Sequence, residues 1–220
     1  SYSDDFGKTW KVISEEKNLY VVEWIDKNTI AVEPACTLKK IYETLLPRGK
    51  YLPGGSCQSV AIGGLTLGGG YGLMSRRYGL TCDSLTEVTM VDGNGQIRNS
   101  ADDPELLWAC KGGGNGNFGV IAEMKFKVHP APATMQSARF RTHNATAAKA
   151  KSILKEWFIL SALLPPSCFS AFVLNGKTVY ILLTNSEAHT PEVRKIIEKL
   201  SAISETTSKT LPRETGAALK

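Results

Sequence analysis

The chain has 220 residues and a formal net charge of +5, with 26 lysines and arginines against 21 acids and 42% of its residues apolar. At about 100–200 residues per domain, this length makes one domain and part of another, with enough apolar side chains for a real core. The cations are scattered among the acids and form no basic stripe of the kind that binds nucleic acid, and no apolar run approaches the roughly 18 residues of a membrane span.

Ser1 opens on polar and acidic residues, so no secretory leader is expected there. Residues 11–32 read as short strands separated by turns, with LYVVEWI and TIAVE rich in β-branched and aromatic residues and Asp26-Lys27-Asn28 between them. Leu38, Ile41, Tyr42, Leu45 and Leu46 then fall at helical spacing, with Thr37 as N-cap and Pro47 as the stop. This helix should lay one face on a sheet.

The stretch from Gly54 to Gly72, GGSCQSVAIGGLTLGGGYG, holds eight glycines. Such density lets something approach the backbone closely. Val60, Ile62, Leu65 and Leu67 alternate with smaller residues and would waste their burial in a solvated linker, so the stretch reads as a cofactor loop. No Gly-Lys-Ser/Thr follows any of these glycines, which excludes a phosphate-binding P-loop. Tyr71 either lines the ligand or fills core. Arg76 and Arg77, just beyond, are either anion contacts or surface ion pairs.

Ser84 to Val91 alternates as a strand, Asp92-Gly93-Asn94-Gly95 is a hairpin signal leading into Ile97, and Asp102 to Pro104 starts a helix that ends near Cys110. Gly114, Gly116 and Gly119 fit the dinucleotide fingerprint G-x-G-x-x-G. Helix-like ELLWAC precedes them and strand-like VIAEMKFKV follows, the reverse of the order that fingerprint needs. Cysteines 36, 57, 82, 110 and 168 contain no C-x-x-C pair, and the three histidines share no ligand spacing, so no metal site is expected. Asn144-Ala145-Thr146 is a glycosylation triplet that by itself assigns no compartment.

Pro130-Ala131-Pro132-Ala133 is a stiff tether and the best boundary. Beyond it come a strand over 135–142, a helix over 145–164, a hairpin across Asn175-Gly176 and a helix over 191–203 capped by Thr190, a split-βαβ-like start. The final SETTSKTLPRETGAALK reads as too polar and patternless for core. The class expected from these elements is α+β.

Three segments carry a family resemblance: GGSCQSVAIGGLTLGGGYG, RRYGLTCDSLTEVTMVDGNGQI and ELLWACKGGGNGNFGVI. In consistent order between Leu19 and Pro130, they resemble the flavin domain of berberine-bridge-enzyme-like FAD-linked oxidases. These share the FAD-binding domain of p-cresol methylhydroxylase and vanillyl-alcohol oxidase. The resemblance implies the second half of that domain over residues 1–131, then an incomplete α+β substrate domain over 132–220 whose antiparallel sheet roofs the flavin.

It also implies FAD as cofactor, held by Gly55, Ser56, Cys57, Gln58, Ser59, Gly63, Gly64, Gly68, Gly69, Tyr71, Gly119 and Val120, with Cys57 able to form a thioether to the ring. The reaction implied is hydride transfer from an alcohol, sugar or amine-type small organic substrate to the flavin, with O2 or another acceptor reoxidising it. Many members have Gly-Gly-His where this chain has Gly63-Gly64-Leu65, which removes a polar group near the ring. A similar Ser-Tyr to Ser1-Tyr2 follows the family's histidyl attachment segment. On that reading the N-terminal half is an expected partner on a companion polypeptide, and the fragment alone is expected to be inactive. The general base is expected outside this chain, so no catalytic residue is assigned. The competing reading is a non-catalytic FAD-fold binding module, which Leu65 supports.

Overall fold

A computed structural model describes residues 21–215. The expected strand within residues 11–20 and the Ser1-Tyr2 likeness lie outside the described residues.

The first half runs β1 (Val22–Asp26), β2 (Thr29–Val32), α1 (Leu38–Leu45), β3 (Lys50–Tyr51), α2 (Ile62–Leu67), α3 (Ser75–Tyr78), β4 (Leu85–Val91), β5 (Ile97–Asn99), α4 (Pro104–Cys110), β6 (Val120–Lys127) and β7 (His129–Pro130). Five strands form an antiparallel sheet in the order β1-β2-β6-β4-β5, while β3 pairs with β7. Register decides which side chains share a face: Ile30 and Leu85 both lie opposite Phe126, and Val88 lies opposite Met124. All five are buried and pack with Leu38, Ile41 and Leu45 of α1, so the apolar stripe of that helix covers the inner face of the sheet.

Local chemistry sets the boundaries of these elements. Thr37 Oγ1 accepts from the Lys40 N–H to start α1, and Pro47 lies in the 3-10 turn Leu46–Arg48 that ends it. Between β4 and β5 the Asp92 carboxylate accepts from the Asn94 and Gln96 N–H groups. Asp103 caps α4 through Glu105 and Leu106.

The second half comprises β8 (Thr134–Thr142), α5 (Ala147–Ala162), β9 (Cys168–Asn175), β10 (Thr178–Asn185), α6 (Pro191–Ile203), β11 (Thr206–Lys209) and β12 (Arg213–Glu214). Its antiparallel sheet has the order β11-β8-β10-β9, and β12 also pairs with β8. Phe140, Ile181 and Leu183 of the sheet pack with Ile153 and Leu160 of α5 and with Val193, Ile196, Ile197 and Leu200 of α6. Thr146 and Thr190 cap the two helices. Met135 on β8 and Ala131 pack into the first hydrophobic cluster, so side chains interlock on both sides of the Pro130–Ala133 tether.

Two local expectations change. The polar tail is not patternless: β11 hydrogen-bonds to β8 although all four of its residues are exposed, because an edge strand needs backbone partners and not apolar side chains. The glycine-rich stretch is not a continuous loop either, since residues 62–67 wind into α2.

Candidate functional site

The Gly54–Gly72 segment closes on itself. Gly72 presses against the Gly54 carbonyl so tightly that a Cβ there would overlap it, and Gly55 lies beside the Tyr71 carbonyl, 3.6 Å from where its own Cβ would be. Within this closed base the segment splits into an arch and a helix. The arch, residues 56–60, hangs on the first turn of α1, whose Leu38 N–H donates to Val60 O at 2.9 Å and Lys39 N–H to Gln58 O at 3.0 Å. These are N–H groups that a helix leaves without intrahelical partners.

Ser56, Cys57 and Ser59 are exposed on the arch. Cys57 Sγ is 3.5 Å from Ser59 Oγ. Hydrogen bonding from the Ser59 hydroxyl, then from its amide, holds the Cys57 thiol below its ordinary pKa. The other four cysteines are buried, and burial pushes Cys36 and Cys168 up to about 11. Among the five, the thiolate forms most readily at Cys57, and that thiol is also accessible.

On α2 the glycines divide by face. Gly63 is buried against Pro34: its N–H donates to Pro34 O at 2.9 Å, and a Cβ would lie 2.6 Å from Pro34 Cβ. Gly64 and Gly68 are exposed one turn apart on another side, where added Cβ atoms would lie 3.7 Å from Asn115 Oδ1 and 3.7 Å from Asn115 Nδ2. That face presents backbone and no side chain of its own, with the Asn115 carboxamide beside it.

Gly69 and Gly70 then turn the chain with φ of +97° and +73°. They give their carbonyls to the Cys82 and Thr81 N–H groups, both at 2.9 Å. Gly69 is buried, so the left-handed backbone already requires a glycine at that position.

The second glycine cluster docks on the first. Gly114 N–H donates to Leu67 O at 2.9 Å, and Gly112 sits against the Gly69 Cα. Gly119 lies elsewhere on this cluster, pressed on the Val91 carbonyl at the start of β6, with Val120 exposed beside it. Tyr71 is 73% exposed and fills no core. Among the described residues no group of three or more His, Cys, Asp or Glu is placed to hold a metal.

Arg76 and Arg77 are engaged by the second half of the chain. Arg76 donates to two carbonyls of the second half and Arg77 pairs with Glu187. Sequence reasoning missed Asn115, whose only signal was its place inside the glycine run, and the hydroxyls of Tyr42 and Thr81, which donate to the Gly55 and Pro53 carbonyls and look like ordinary core.

A flat aromatic ring suits this arrangement: a side-chain-free helix face, an exposed aromatic and an accessible thiol on adjoining segments. Residues 9–101 match the family model described as FAD binding domain. The chain is 36% identical over 138 residues to berberine bridge enzyme-like 24 of Arabidopsis thaliana, covering 61% of this chain and 26% of that protein. It is 45% identical over 118 residues to the aclacinomycin-N/aclacinomycin-A oxidase of Streptomyces galilaeus, covering 49% of this chain and 22% of that enzyme. Its fold matches a solved chitooligosaccharide oxidase with TM-score 0.80 at 21% identity, over 91% of this chain and 43% of that one.

Fold and match together define an FAD-binding domain of the p-cresol methylhydroxylase type. The chain belongs to the berberine-bridge-enzyme-like FAD-linked oxidoreductases. It spans about a quarter of the length of the two curated relatives.

Proposed function

We propose that the protein to which this chain contributes is an FAD-dependent oxidase. It takes hydride from a carbon bearing a hydroxyl or amine on an alcohol, sugar or amine-type small organic substrate and passes the electrons to O2. The observation that carries this reading is the bare backbone face at Gly64 and Gly68 flanked by Asn115, on the segment that also exposes Cys57. The name of the Streptomyces relative, an oxidase, supports the same class. When bound, the flavin supplies the hydride acceptor and the route to dioxygen.

The residues of this chain bind and orient. Gly64 and Gly68 admit the ring to the backbone, with Gly55, Ser56, Gln58, Ser59, Gly63, Gly69 and Tyr71 shaping the segment around it and Gly119 and Val120 as further cofactor contacts at the start of β6. Residues 1–131 form the cofactor half and residues 132–220 the beginning of the substrate half.

Cys57 anchors the cofactor covalently. Its exposed thiol would hold the flavin through a carbon–sulfur bond, with loss of the thiol proton and one ring hydrogen matched by reduction of O2 to hydrogen peroxide. Acid precipitation of the full-length protein followed by mass spectrometry of the Cys57 peptide tests this. A flavin-bearing peptide is expected, and a free thiol overturns the attachment.

The oxidase reading is tested by the visible spectrum of the full-length protein, mixed anaerobically with a panel of alcohols, sugars and amines. Bleaching by one of them and recovery in air are expected. The second reading, a binding module without turnover, rests on Leu65 in the position where the family resemblance implies histidine in many members, and it predicts no bleaching across the panel.

A further inference from the structure

Three buried hydroxyls, from α1, β3 and the turn after α3, lie against three consecutive carbonyls at the foot of the arch. Thr81 Oγ1 donates to Pro53 O at 2.6 Å, Tyr51 Oη to Gly54 O at 3.5 Å, and Tyr42 Oη to Gly55 O at 2.8 Å. Tyr51 and Thr81 are fully buried, and Tyr42 is 4% exposed. The Tyr42 and Tyr51 rings stack with centroids 5.4 Å apart and an interplanar angle of 6°. Burial keeps the Tyr42 phenol well above its ordinary pKa, so it remains a donor throughout the working pH range.

The fit is tight, since a Cβ on Gly54 would sit 2.8 Å from Tyr42 Oη. Packing alone would be met equally well by phenylalanine. A tyrosine this deeply buried needs partners for its hydroxyl, and here they are the Gly55 carbonyl, two residues before Cys57, and the Tyr51 hydroxyl.

The other side of Cys57 is tied to the same helix. Lys39 N–H, three residues before Tyr42 on α1, holds the Gln58 carbonyl. Ser56 and Cys57 therefore bridge two anchors that both belong to α1, and the direction of the thiol is set by that helix.

We infer that Tyr42 is a positioning residue for Cys57: by holding the Gly55 carbonyl, it fixes the arch so that the thiol meets the cofactor ring. This rests on the reading that Cys57 bonds the flavin. Tyr42→Phe keeps the ring and its stack and removes the hydroxyl that donates to Gly55 and pairs with the Tyr51 hydroxyl. In the full-length protein this variant should still retain FAD, with acid-stable flavin on the Cys57 peptide forming several-fold more slowly than in wild type. Wild-type rate and extent of attachment would overturn the inference.

Cys57→Ser examines the underlying reading alone. A wild-type Cys57 peptide free of flavin, or no change in the flavin spectrum of Cys57→Ser, would show that attachment lies elsewhere, and the role of Tyr42 is then decided by thiol labelling. Cys57 is the exposed cysteine among five, so maleimide labelling of the native 220-residue chain reads it selectively. With the arch loosened from Ser59, Tyr42→Phe should label about threefold more slowly at pH 7, with its rate profile moved to higher pH. Thr81→Val, which frees the neighbouring carbonyl, should do the same to a smaller extent. Unchanged profiles in both variants, with unchanged melting temperatures, would refute the positioning role.

Discussion

Arg76, just past the glycine segment, donates from Nη2 to the Leu164 carbonyl at 2.8 Å, and its Nη1 reaches Cys168 O at 3.2 Å. Leu164 follows directly on the C-cap of α5 and Cys168 opens β9, so one guanidinium satisfies acceptors at the end of a helix and the start of a strand. The neighbouring Arg77 makes a single ion pair with Glu187 between side chains that are 35% and 55% exposed.

The two arginines should therefore differ on substitution. Arg76→Met leaves two carbonyls of buried residues without their donor and is expected to cost about 1–2 kcal/mol after allowance for its partial exposure. Arg77→Ala should cost well under about 1 kcal/mol. Thermal unfolding measures both. Proteinase K digestion adds a local readout, because Arg76→Met should open the Pro130–Ala133 tether to cleavage while Arg77→Ala should not. Equal effects would show that the carbonyl contacts carry no special weight.

Glycine substitutions separate backbone demand from ligand demand. At Gly70 a Cβ would lie 2.5 Å from Thr81 Oγ1 and the backbone is left-handed, so Gly70→Ala should destabilise the chain by about 1–3 kcal/mol whether or not flavin is present. At Gly64 the nearest atom is 3.7 Å from an added Cβ, so Gly64→Val should be tolerated by the fold. Its expected effect is loss of flavin from the full-length protein at a nearly unchanged melting temperature. A yellow Gly64→Val protein with the wild-type spectrum would remove the ring from this face.

His129 makes stability depend on pH. Its ring stacks on Tyr78 with centroids 4.5 Å apart, and its Nε2 lies 3.0 Å from Ser84 Oγ. Burial, then the charge of Lys127, depresses its pKa, and burial does the same to His189. The unfolded chain, with histidines near 6.5, thus binds more protons than the folded one below that pH. The stability from the neutral rings is complete above about pH 6.5 and is lost as pH falls through the folded-state values. Melting temperature should fall between about pH 7 and pH 5, and His129→Gln should flatten that slope. Glu87 and Asp92, held below the usual range by hydrogen bonds, act in the same direction only near pH 4 and below.

FAD should bind the isolated 220-residue chain in the micromolar range or more weakly, because the glycine face accounts for the ring alone and the chain aligns with about a quarter of each curated relative. Isothermal titration calorimetry checks this. Stoichiometric nanomolar binding would show that the adenosine and pyrophosphate are also held by residues of this chain.

Much of the chain's local structure is determined by short-range patterns. The stripe Leu38-Ile41-Tyr42-Leu45, the caps Thr37 and Thr190, the Asp92 turn and the Asn175-Gly176 hairpin each depend on residues a few positions apart, and each appears as the pattern requires. The glycine density between Gly54 and Gly72 likewise shows that something comes close to the backbone. What comes close was decided only by the tertiary structure: Pro34 at Gly63, Thr81 at Gly70, Val91 at Gly119, and the Asn115 carboxamide at Gly64 and Gly68. The same holds for Arg76, whose acceptor is 88 residues away, and for Tyr42, which helical spacing marks as core. β11 carries no apolar signal because its partner is a backbone. A glycine or a buried hydroxyl has the same one-letter appearance whatever it faces, and its neighbour is chosen by sheet register and helix docking, which bring together residues far apart in the chain.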